Sequence, residues 1–197
     1  FNAITAKIIE ECGFKAVYIS GAGIANGMAG YPDTGLLSMK EVLDQARFIA
    51  EAVDIPVIAD IDTGFGGPKN TARTVREFEK AGIAGVHVED QEFPKRCGHL
   101  SGKRLIPAEE MSAKIKSAVK ARTNKGFLII ARTDARGVKG MKEAIKRADA
   151  YLDAGADAVF PEGLETREEF KRFAKEIHAP LLANMTEFGK TPYITAD

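Results

Sequence analysis

Residues 56–61 read PVIADI, residues 70–81 read NTARTVREFEKA, and residues 85–89 read GVHVE. The first and last of these runs are β-branched or aliphatic and nearly continuous, which is typical of parallel strands buried on both faces. The stretch between them has apolar residues at helical spacing and leads into an Ala81-Gly82 pair, typical of a helix that ends at a glycine. The three segments therefore predict a β–α–β unit with a right-handed crossover.

The same alternation of short apolar runs and amphipathic stretches covers the chain, and the first helical stretch has no strand before it. Eight strands close a barrel of about 250 residues. We therefore expect one α/β domain over residues 1–197, a (β/α)8 TIM-type barrel with the first strand and the last βα units missing from this chain. An open doubly wound sheet is the competing architecture, and it usually binds its ligand at a single switch point. The predicted strands are 16–20, 56–61, 85–89, 127–132, 158–161 and 180–184, and the predicted helices are 3–12, 39–52, 70–81, 108–121, 139–154 and 166–177.

Composition argues against several classes of function. The 197 residues include 28 basic and 28 acidic side chains, so the formal net charge is zero. A nucleic-acid or anionic-membrane partner would require an excess of positive charge, and no apolar run reaches the roughly 18 residues of a membrane span. Two cysteines, Cys12 and Cys97, are too few for a disulfide framework and favour a reducing compartment. We expect a cytoplasmic protein that acts on a small molecule.

Polar or ionisable residues follow the carboxyl end of every predicted strand. One such residue often does no more than begin a loop, but their recurrence at all the strands indicates a site. In a barrel these ends share one mouth, where active sites are found. The residues are Ser20 and Gly21, Asp60 and Asp62, Glu89 and Asp90, Arg132 and Asp134, Glu162, and Asn184 and Thr186.

Asp60 and Asp62 stand two residues apart, so both point to one face if the strand continues through them. With Glu89 and Asp33 they offer a set of oxygen donors that suits Mg²⁺, with Mn²⁺ as the alternative ion, better than zinc. Four carboxylates repel one another, and a divalent cation would hold them together. For Asp33, capping of a helix N-terminus is an equally good interpretation.

The motif KRCGH at residues 95–99 lies in a long predicted loop from Asp90 to Ile106. Flanking positive charge favours a reactive thiolate at Cys97, and Gly98 and Gly102 would allow the loop to close over a substrate. Cys12, on an apolar helix, is interpreted as a small hydrophobic residue. A nucleophile–base pair of Cys97 and His99 is conceivable, but residues two apart in a loop rarely form one, and the nearby acids favour a metal.

Three further functional interpretations of the sequence are set aside. The sequence GAGIANG at residues 21–27 departs from the spacing of a dinucleotide loop, and residues 28–33 do not predict a helix after it. A Schiff-base enzyme would need a lysine at the end of a strand, and the predicted strands offer none. His87 alternates with apolar residues in its strand, and we assign it no function.

Seven motifs, in order and over almost the whole chain, resemble the isocitrate lyase/phosphoenolpyruvate mutase superfamily. Within it the 2-methylisocitrate lyases are the most similar group. Isocitrate lyases have a different pattern at the last motif and large insertions, and phosphoenolpyruvate mutases lack the Cys-Gly-His loop. The motifs are YISGAG (18–23), DIDTGFG (60–66), VEDQ (88–91), KRCGH (95–99), ARTDA (131–135), FPEG (160–163) and NMTEFGKTP (184–192).

The resemblance implies a Mg²⁺-dependent lyase that splits 2-methylisocitrate into pyruvate and succinate in a retro-aldol step of propionate breakdown. Asp60 and Asp62 would hold the metal directly, with Asp33 and Glu89 acting through water. Tyr18 or Glu89 would be the base, and Cys97 the general acid. A homotetramer that exchanges a C-terminal helix is also implied. Arg96 and His99 are expected to act in catalysis, as donors to the negative charge that develops. Substrate contacts are expected from Ser20, Gly21, Ala22, Lys95, Gly98, Arg132, Glu162, Asn184 and Thr186.

Three alternatives stay open on the sequence. Isocitrate lyase uses the same chemistry on a substrate without the methyl group. A carboxyphosphonoenolpyruvate phosphonomutase-type enzyme would keep the metal site and could keep the cysteine loop. A barrel that only binds its ligand, without catalysis, is the third.

Overall fold

The computed structural model describes residues 1–186 and 189–195. Glu187 and Phe188 of the last motif therefore lie outside the described residues. Nowhere in the described part does a helix combine the length and the apolar character needed to cross a membrane. One parallel sheet contains the strands β1 (Val17–Ile19), β2 (Val57–Asp60), β3 (Gly85–Glu89), β4 (Leu128–Thr133) and β5 (Ala158–Pro161).

Each strand pairs with the next one along the chain, in the order β1-β2-β3-β4-β5. A doubly wound sheet reverses its order at a switch point, whereas this sheet advances in one direction, as the wall of a barrel does. The register places Asp60 beside His87 and Glu89 beside Arg132. The polar residues predicted at successive strand ends are therefore neighbours across the sheet.

Helices follow the strands as the periodicity predicts. Ser38 accepts a hydrogen bond from the Glu41 backbone N–H and caps one of them, and Thr166 caps another through the Glu169 N–H at 3.1 Å. Gly82, with a φ of +84°, follows a helix in the left-handed conformation that glycine tolerates. The helices are α1 (Ala3–Glu11), α2 (Gly21–Ile24), α3 (Met39–Ala50), α4 (Pro68–Lys80), α5 (Ala108–Ala121), α6 (Ala135–Lys139), α7 (Met141–Asp153) and α8 (Arg167–Glu176), and a π-helix spans Ala25–Ala29.

Two predictions about the elements are wrong. The run 180–184 is not a strand: it makes one parallel bridge, Leu181 with Val159, and its polar continuation contacts side chains instead of extending the ladder. Residues 21–29 form α2 and the π-helix, although no helix was predicted there. The small residues of α2 permit its close approach to β2, since a Cβ atom on Gly21 would lie only 3.0 Å from Asp60 Oδ2.

A buried ionic network joins the ends of β3 and β4 to α7. The Asp90 carboxylate accepts hydrogen bonds from the Thr133 hydroxyl at 2.8 Å, the Asp134 N–H at 2.9 Å, the Tyr151 hydroxyl at 2.8 Å and an Arg147 N–H at 3.0 Å. A buried carboxylate is stable in a fold when several donors replace its water. The network fixes the backbone where β4 leaves the sheet.

The largest apolar cluster lies between the sheet and the surrounding helices. Val42, Leu43, Ala46 and Ile49 of α3 are buried, and Ala50 is partly buried. Phe78 of α4 is fully buried in the same cluster. Removing a large buried ring from such a cluster loses its transfer free energy and leaves a cavity.

Phe78→Ala should therefore lower the free energy of unfolding by about 3–5 kcal/mol, measured by urea denaturation. Phe48→Ala is the matched control, because Phe48 is 59% exposed on α3 and its loss should change stability by only about 0.5 kcal/mol. Equal effects of the two substitutions would contradict the placement of α4 against the sheet.

Candidate active site

Four carboxylates, Asp33, Asp60, Asp62 and Glu89, gather around Lys95 at the carboxyl ends of β2 and β3; we call them the acid cluster. Asp60 ends β2 and accepts hydrogen bonds from the backbone N–H groups of Gly21 at 3.2 Å and Asp62 at 2.9 Å. Burial opposes its ionisation, but His87, Lys95 and Arg132 outweigh burial and hold the pKa of Asp60 below its usual value. Asp60 is therefore ionised at neutral pH.

Asp62 follows β2 in a left-handed backbone conformation, with a φ of 48°. Such a conformation costs free energy in a residue with a side chain, and it persists where surrounding contacts enforce it. One contact comes from Lys114 of α5, which donates to the Thr63 carbonyl at 3.0 Å. Burial, and next the nearby Asp60, raise the pKa of Asp62 to about 6.

Lys95 is buried and pairs with Asp33 and, at 2.7 Å, with Asp62. Burial opposes its charge, but the surrounding carboxylates, with Asp62 first, raise its pKa above the usual value. Within residues 1–186 and 189–195, no three His, Cys, Asp or Glu side chains lie in position to hold a metal ion. The sequence predicted that Lys95 would contact substrate; here its ammonium group lies between two of the predicted metal ligands.

Glu89 ends β3 and is fully buried. In the described part of the chain, neither of its carboxylate oxygens has a hydrogen-bond partner, although Arg132 Nε lies 3.2 Å from Oε2. Burial raises the pKa of Glu89 well above its usual value, against the opposing effect of Arg132. Buried carboxylate oxygens without donors are suited to a cation, so the chemistry of the acid cluster fits a divalent metal, although Lys95 lies between Asp33 and Asp62 in this arrangement.

Tyr18 and His87 form a pair beside Asp60. Their rings stack, and the Tyr18 hydroxyl lies 2.7 Å from His87 Nε2. Burial lowers the pKa of His87 to about 4, so its ring is neutral. Tyr18 as a residue is 40% exposed, but partial removal of its hydroxyl from water, followed by the charge of Asp60, raises its pKa well above 10. Tyr18 therefore keeps its proton.

A second group, the arginine cluster, consists of Arg132, Glu162, His99, Asn184 and Thr186. Arg132 Nη1 lies 3.3 Å from Glu162 Oε2, and Asn184 donates to the same oxygen at 3.2 Å. His99 Nε2 lies 3.2 Å from Glu162 Oε1 and 3.4 Å from the Thr186 hydroxyl. Since Arg132 also contacts Glu89, the two clusters meet.

The hydrogen bonds of His99 indicate its tautomer. The Lys190 backbone N–H donates to His99 Nδ1 at 3.0 Å, so Nδ1 is an acceptor. In a neutral imidazole the other nitrogen then carries the proton. His99 thus presents an Nε2–H donor beside Glu162, in the arginine cluster.

Cys97 lies in the loop between β3 and α5, which we call the cysteine loop (residues 90–107). Cys97 is a free thiol and is partly buried. The Gln91 side chain holds the backbone of the preceding residue, Arg96, through two hydrogen bonds of 2.8 Å and 3.0 Å. After it, Gly98 packs against the arginine cluster: a Cβ atom there would lie 2.5 Å from Arg132 Nη2. The loop therefore covers the predicted site.

Some predicted site residues are not placed for the expected roles. Arg96 is exposed, and its guanidinium lies beside Gly102 instead of facing the clusters. The Ser20 hydroxyl accepts from the Gly23 N–H at 3.0 Å and caps α2, and the Gly21 N–H is bonded to Asp60. Ala22, within α2, offers only its backbone. Asp33 pairs with Lys95 and does not cap a helix.

Sequence reasoning also missed residues that shape the site. Lys103 and Lys114 are buried, and each binds a backbone carbonyl next to a predicted site residue. Lys114 had a signal, because it falls on the apolar face of α5 with Met111 and Ile115. His87 had one too, as a histidine within a fully buried strand. Lys103 had none, because its partner Asp134 is far away in sequence.

The family model described as phosphoenolpyruvate phosphomutase matches residues 1–196. A 2-methylisocitrate lyase of Aeropyrum pernix is 53% identical over 197 residues, which cover all of this chain and 63% of that protein. The chain thus spans less than two thirds of the length of this relative.

Solved structures agree. An oxaloacetate acetylhydrolase in complex with the inhibitor 3,3-difluorooxalacetate matches with a TM-score of 0.96 and 40% identity, covering 99% of this chain and 67% of that one. A phosphonopyruvate hydrolase complex with oxalate and Mg²⁺ matches with a TM-score of 0.81 and 37% identity, covering 91% and 63%. The resemblance inferred from the motifs is thereby confirmed, and the chain belongs to the phosphoenolpyruvate phosphomutase family of the phosphoenolpyruvate mutase/isocitrate lyase superfamily.

Proposed function

We propose that this chain carries the active site of a Mg²⁺-dependent lyase that splits 2-methylisocitrate into pyruvate and succinate. The observation that carries the proposal is the contact of the acid cluster with the arginine cluster, through Glu89 and Arg132 at 3.2 Å, beneath the cysteine loop. A metal-binding half and an anion-binding half, side by side, match the two products of this cleavage. The 53% identity to a 2-methylisocitrate lyase supports the choice of substrate.

Asp60, Asp62, Asp33 and Glu89 would hold the metal. Their oxygens suit Mg²⁺ or Mn²⁺, and the four carboxylates outnumber the two cations that contact them, Lys95 and Arg132. When bound, the divalent cation supplies Lewis-acid stabilisation of negative charge on the substrate. Lys95 would have to leave its position between Asp33 and Asp62, which frees its ammonium group for a substrate carboxylate.

Glu89 fits the role of base better than Tyr18. Both were candidates on the sequence, but a tyrosine whose pKa is raised holds its proton and cannot take one from a hydroxyl group. Both Glu89 carboxylate oxygens lack a hydrogen-bond partner among the described residues, so they are free to accept a proton. In the cleavage the substrate hydroxyl proton would pass to Glu89 and the hydroxyl oxygen would form the C=O bond of pyruvate. The C–C bond would break, and its electron pair would go to the succinate fragment.

The arginine cluster would receive that negative charge. Asp134 and Glu162 hold the Arg132 guanidinium in place, and the Nε2–H of His99 and the amide of Asn184 lie beside Glu162. Donors fixed in advance stabilise developing charge more effectively than mobile water. Cys97, at the tip of the loop above, would then deliver a proton to the carbanion, which becomes a methylene carbon of succinate. The thiolate left on Cys97 would recover its proton from solvent before the next turnover.

Cys97→Ser should lower kcat by about 100-fold or more, because a hydroxyl group is a far weaker acid than a thiol. Binding of succinate, measured by calorimetry in the presence of Mg²⁺, should remain nearly unchanged. Cys12→Ser is the matched control, since Cys12 is exposed on the outer surface, and it should keep full turnover. Near-normal turnover in Cys97→Ser would refute the acid role.

Asp62→Ala should weaken binding of Mn²⁺ by about 100-fold or more, measured by electron paramagnetic resonance at pH 8, above the Asp62 pKa of about 6. Asp54→Ala, which removes a carboxylate from an exposed turn, should bind Mn²⁺ normally. An Asp62→Ala protein with normal affinity would show that the metal, if bound, is held elsewhere.

A comparison of kcat/KM on 2-methylisocitrate, isocitrate and carboxyphosphonoenolpyruvate separates the three enzymatic alternatives. We expect the highest value on 2-methylisocitrate. Preference for isocitrate would make the chain an isocitrate lyase, and turnover of the phosphonate alone would make it a phosphonomutase-type enzyme. Ligand binding without turnover of any of them would support the non-catalytic alternative.

The role in propionate breakdown, the cytoplasmic location and the homotetramer with an exchanged C-terminal helix stay predictions. The similarity to enzymes that act on small carboxylic acids supports the first. Light scattering of the purified protein would measure the oligomeric state directly.

A further inference from the structure

Lys103 is a buried lysine within the cysteine loop, and the proposed mechanism gives it no task. Its side chain is 4% exposed. The Nζ atom donates to two acceptors, the Gly98 carbonyl oxygen and, at 2.7 Å, Asp134 Oδ1. The first acceptor is next in sequence to Cys97, and the second follows β4. Lys103 thus connects the tip of the loop to the sheet.

The Asp134 end of this connection is rigid. Its backbone N–H donates to Asp90 Oδ1 at 2.9 Å, within the ionic network behind the sheet. Its carboxylate also accepts from Arg132 Nε at 3.0 Å. Burial opposes ionisation of Asp134, but Arg132 and Lys103 outweigh burial and keep its pKa below the usual value. Asp134 is therefore an ionised, fixed anchor for the ammonium group.

The loop itself is held at its base by backbone hydrogen bonds. Glu92 N–H donates to the Arg104 carbonyl at 2.8 Å, and Ile106 N–H donates to the Asp90 carbonyl at 3.0 Å. These bonds close the base but do not reach the tip. Nearer the tip, Gln91 holds Arg96, on one side of Cys97. Lys103 holds Gly98, on the other side.

Gly98, which Lys103 binds, also packs against the arginine cluster. A Cβ atom on Gly98 would lie 2.5 Å from Arg132 Nη2 and 2.5 Å from Glu162 Cγ, so the backbone of the tip touches the arginine cluster. Lys103 links the Gly98 carbonyl to Asp134, and Asp134 also accepts a hydrogen bond from Arg132. A displacement of Gly98 would break this contact and move the adjacent Cys97 away from the cluster.

We propose that Lys103 is a positioning residue for Cys97: by joining the Gly98 carbonyl to Asp134, it keeps the thiol over the arginine cluster. The part of this inference that concerns turnover rests on the proposed lyase function. The part that concerns the position of the thiol does not, because the reactivity of Cys97 can be measured without substrate.

The experiment measures alkylation of both cysteines by iodoacetamide in the full chain, resolved by mass spectrometry of the peptides. Cys12 is exposed and serves as the internal reference. In Lys103→Met the ratio of the Cys97 rate to the Cys12 rate should rise by about tenfold, because the released tip opens more often. Lys103→Arg, which keeps a charged donor, should restore most of the original ratio.

Lys125→Met is the matched control, since it removes an exposed lysine from the turn before β4 and should leave the ratio unchanged. Circular dichroism checks that each variant is folded. If Lys103→Met does not fold, Lys103→Gln, which keeps an amide NH2 donor group and removes the charge, takes its place and should show a smaller rise in the same ratio.

Turnover and metal binding give a second readout. In Lys103→Met, kcat on 2-methylisocitrate should fall by about 100-fold, with Mn²⁺ affinity unchanged because the acid cluster is intact. An unchanged alkylation ratio in a folded variant would overturn the inference even if the wild-type protein is an active lyase. If the ratio responds as expected but the wild-type protein cleaves no substrate, the proposed function fails and the positioning role stands.

Discussion

The site depends on one buried guanidinium group. Arg132 lies among the carboxylates of Glu89, Asp134 and Glu162, at distances of 3.0–3.3 Å, and its ring of acids raises its pKa well above the usual value against the effect of burial. A buried charge is stable only when its partners are fixed around it. Each carboxylate comes from a different strand end or loop, so the charge balance of Arg132 specifies how β3, β4 and β5 end relative to one another.

This constraint also explains why the network behind the sheet is elaborate. Asp134 can hold Arg132 only if its own backbone stays in place, and Asp90 fixes that backbone through hydrogen bonds that also engage α7. Removal of one partner from such a network leaves an unpaired buried charge, which costs more than the pair contributes. Structural and functional ionic contacts are therefore continuous here, from α7 to the mouth of the sheet.

Much of this arrangement could be predicted from the sequence, because the period and composition of buried parallel strands are local signals. They located all five strands of the sheet within about one residue. The sharing of one edge by their carboxyl ends then predicted that Asp62, Glu89 and Arg132 are neighbours. Contacts between distant segments carry no such signal. Neither the placement of Lys95 between Asp33 and Asp62 nor the bond of Lys103 to Asp134 follows from spacing. The run 180–184 has the composition of a strand, but whether it pairs depends on a neighbouring segment, and a local pattern does not report that.

The two buried lysines of the cysteine loop attach it to two different parts of the site. Lys95, on the N-terminal side of Cys97, contacts the acid cluster. Lys103, on the C-terminal side of Cys97, contacts Asp134, which holds Arg132 of the arginine cluster. The loop is thus held by two carboxylates, Asp62 for Lys95 and Asp134 for Lys103. A cation that binds the acids competes with Lys95, but it leaves the bond from Lys103 to Asp134 intact, since Asp134 faces Arg132 and Lys103 and is not one of the proposed metal ligands. The end of the loop that carries Gly98 is therefore held independently of the metal, and Cys97 can stay in place while Lys95 moves.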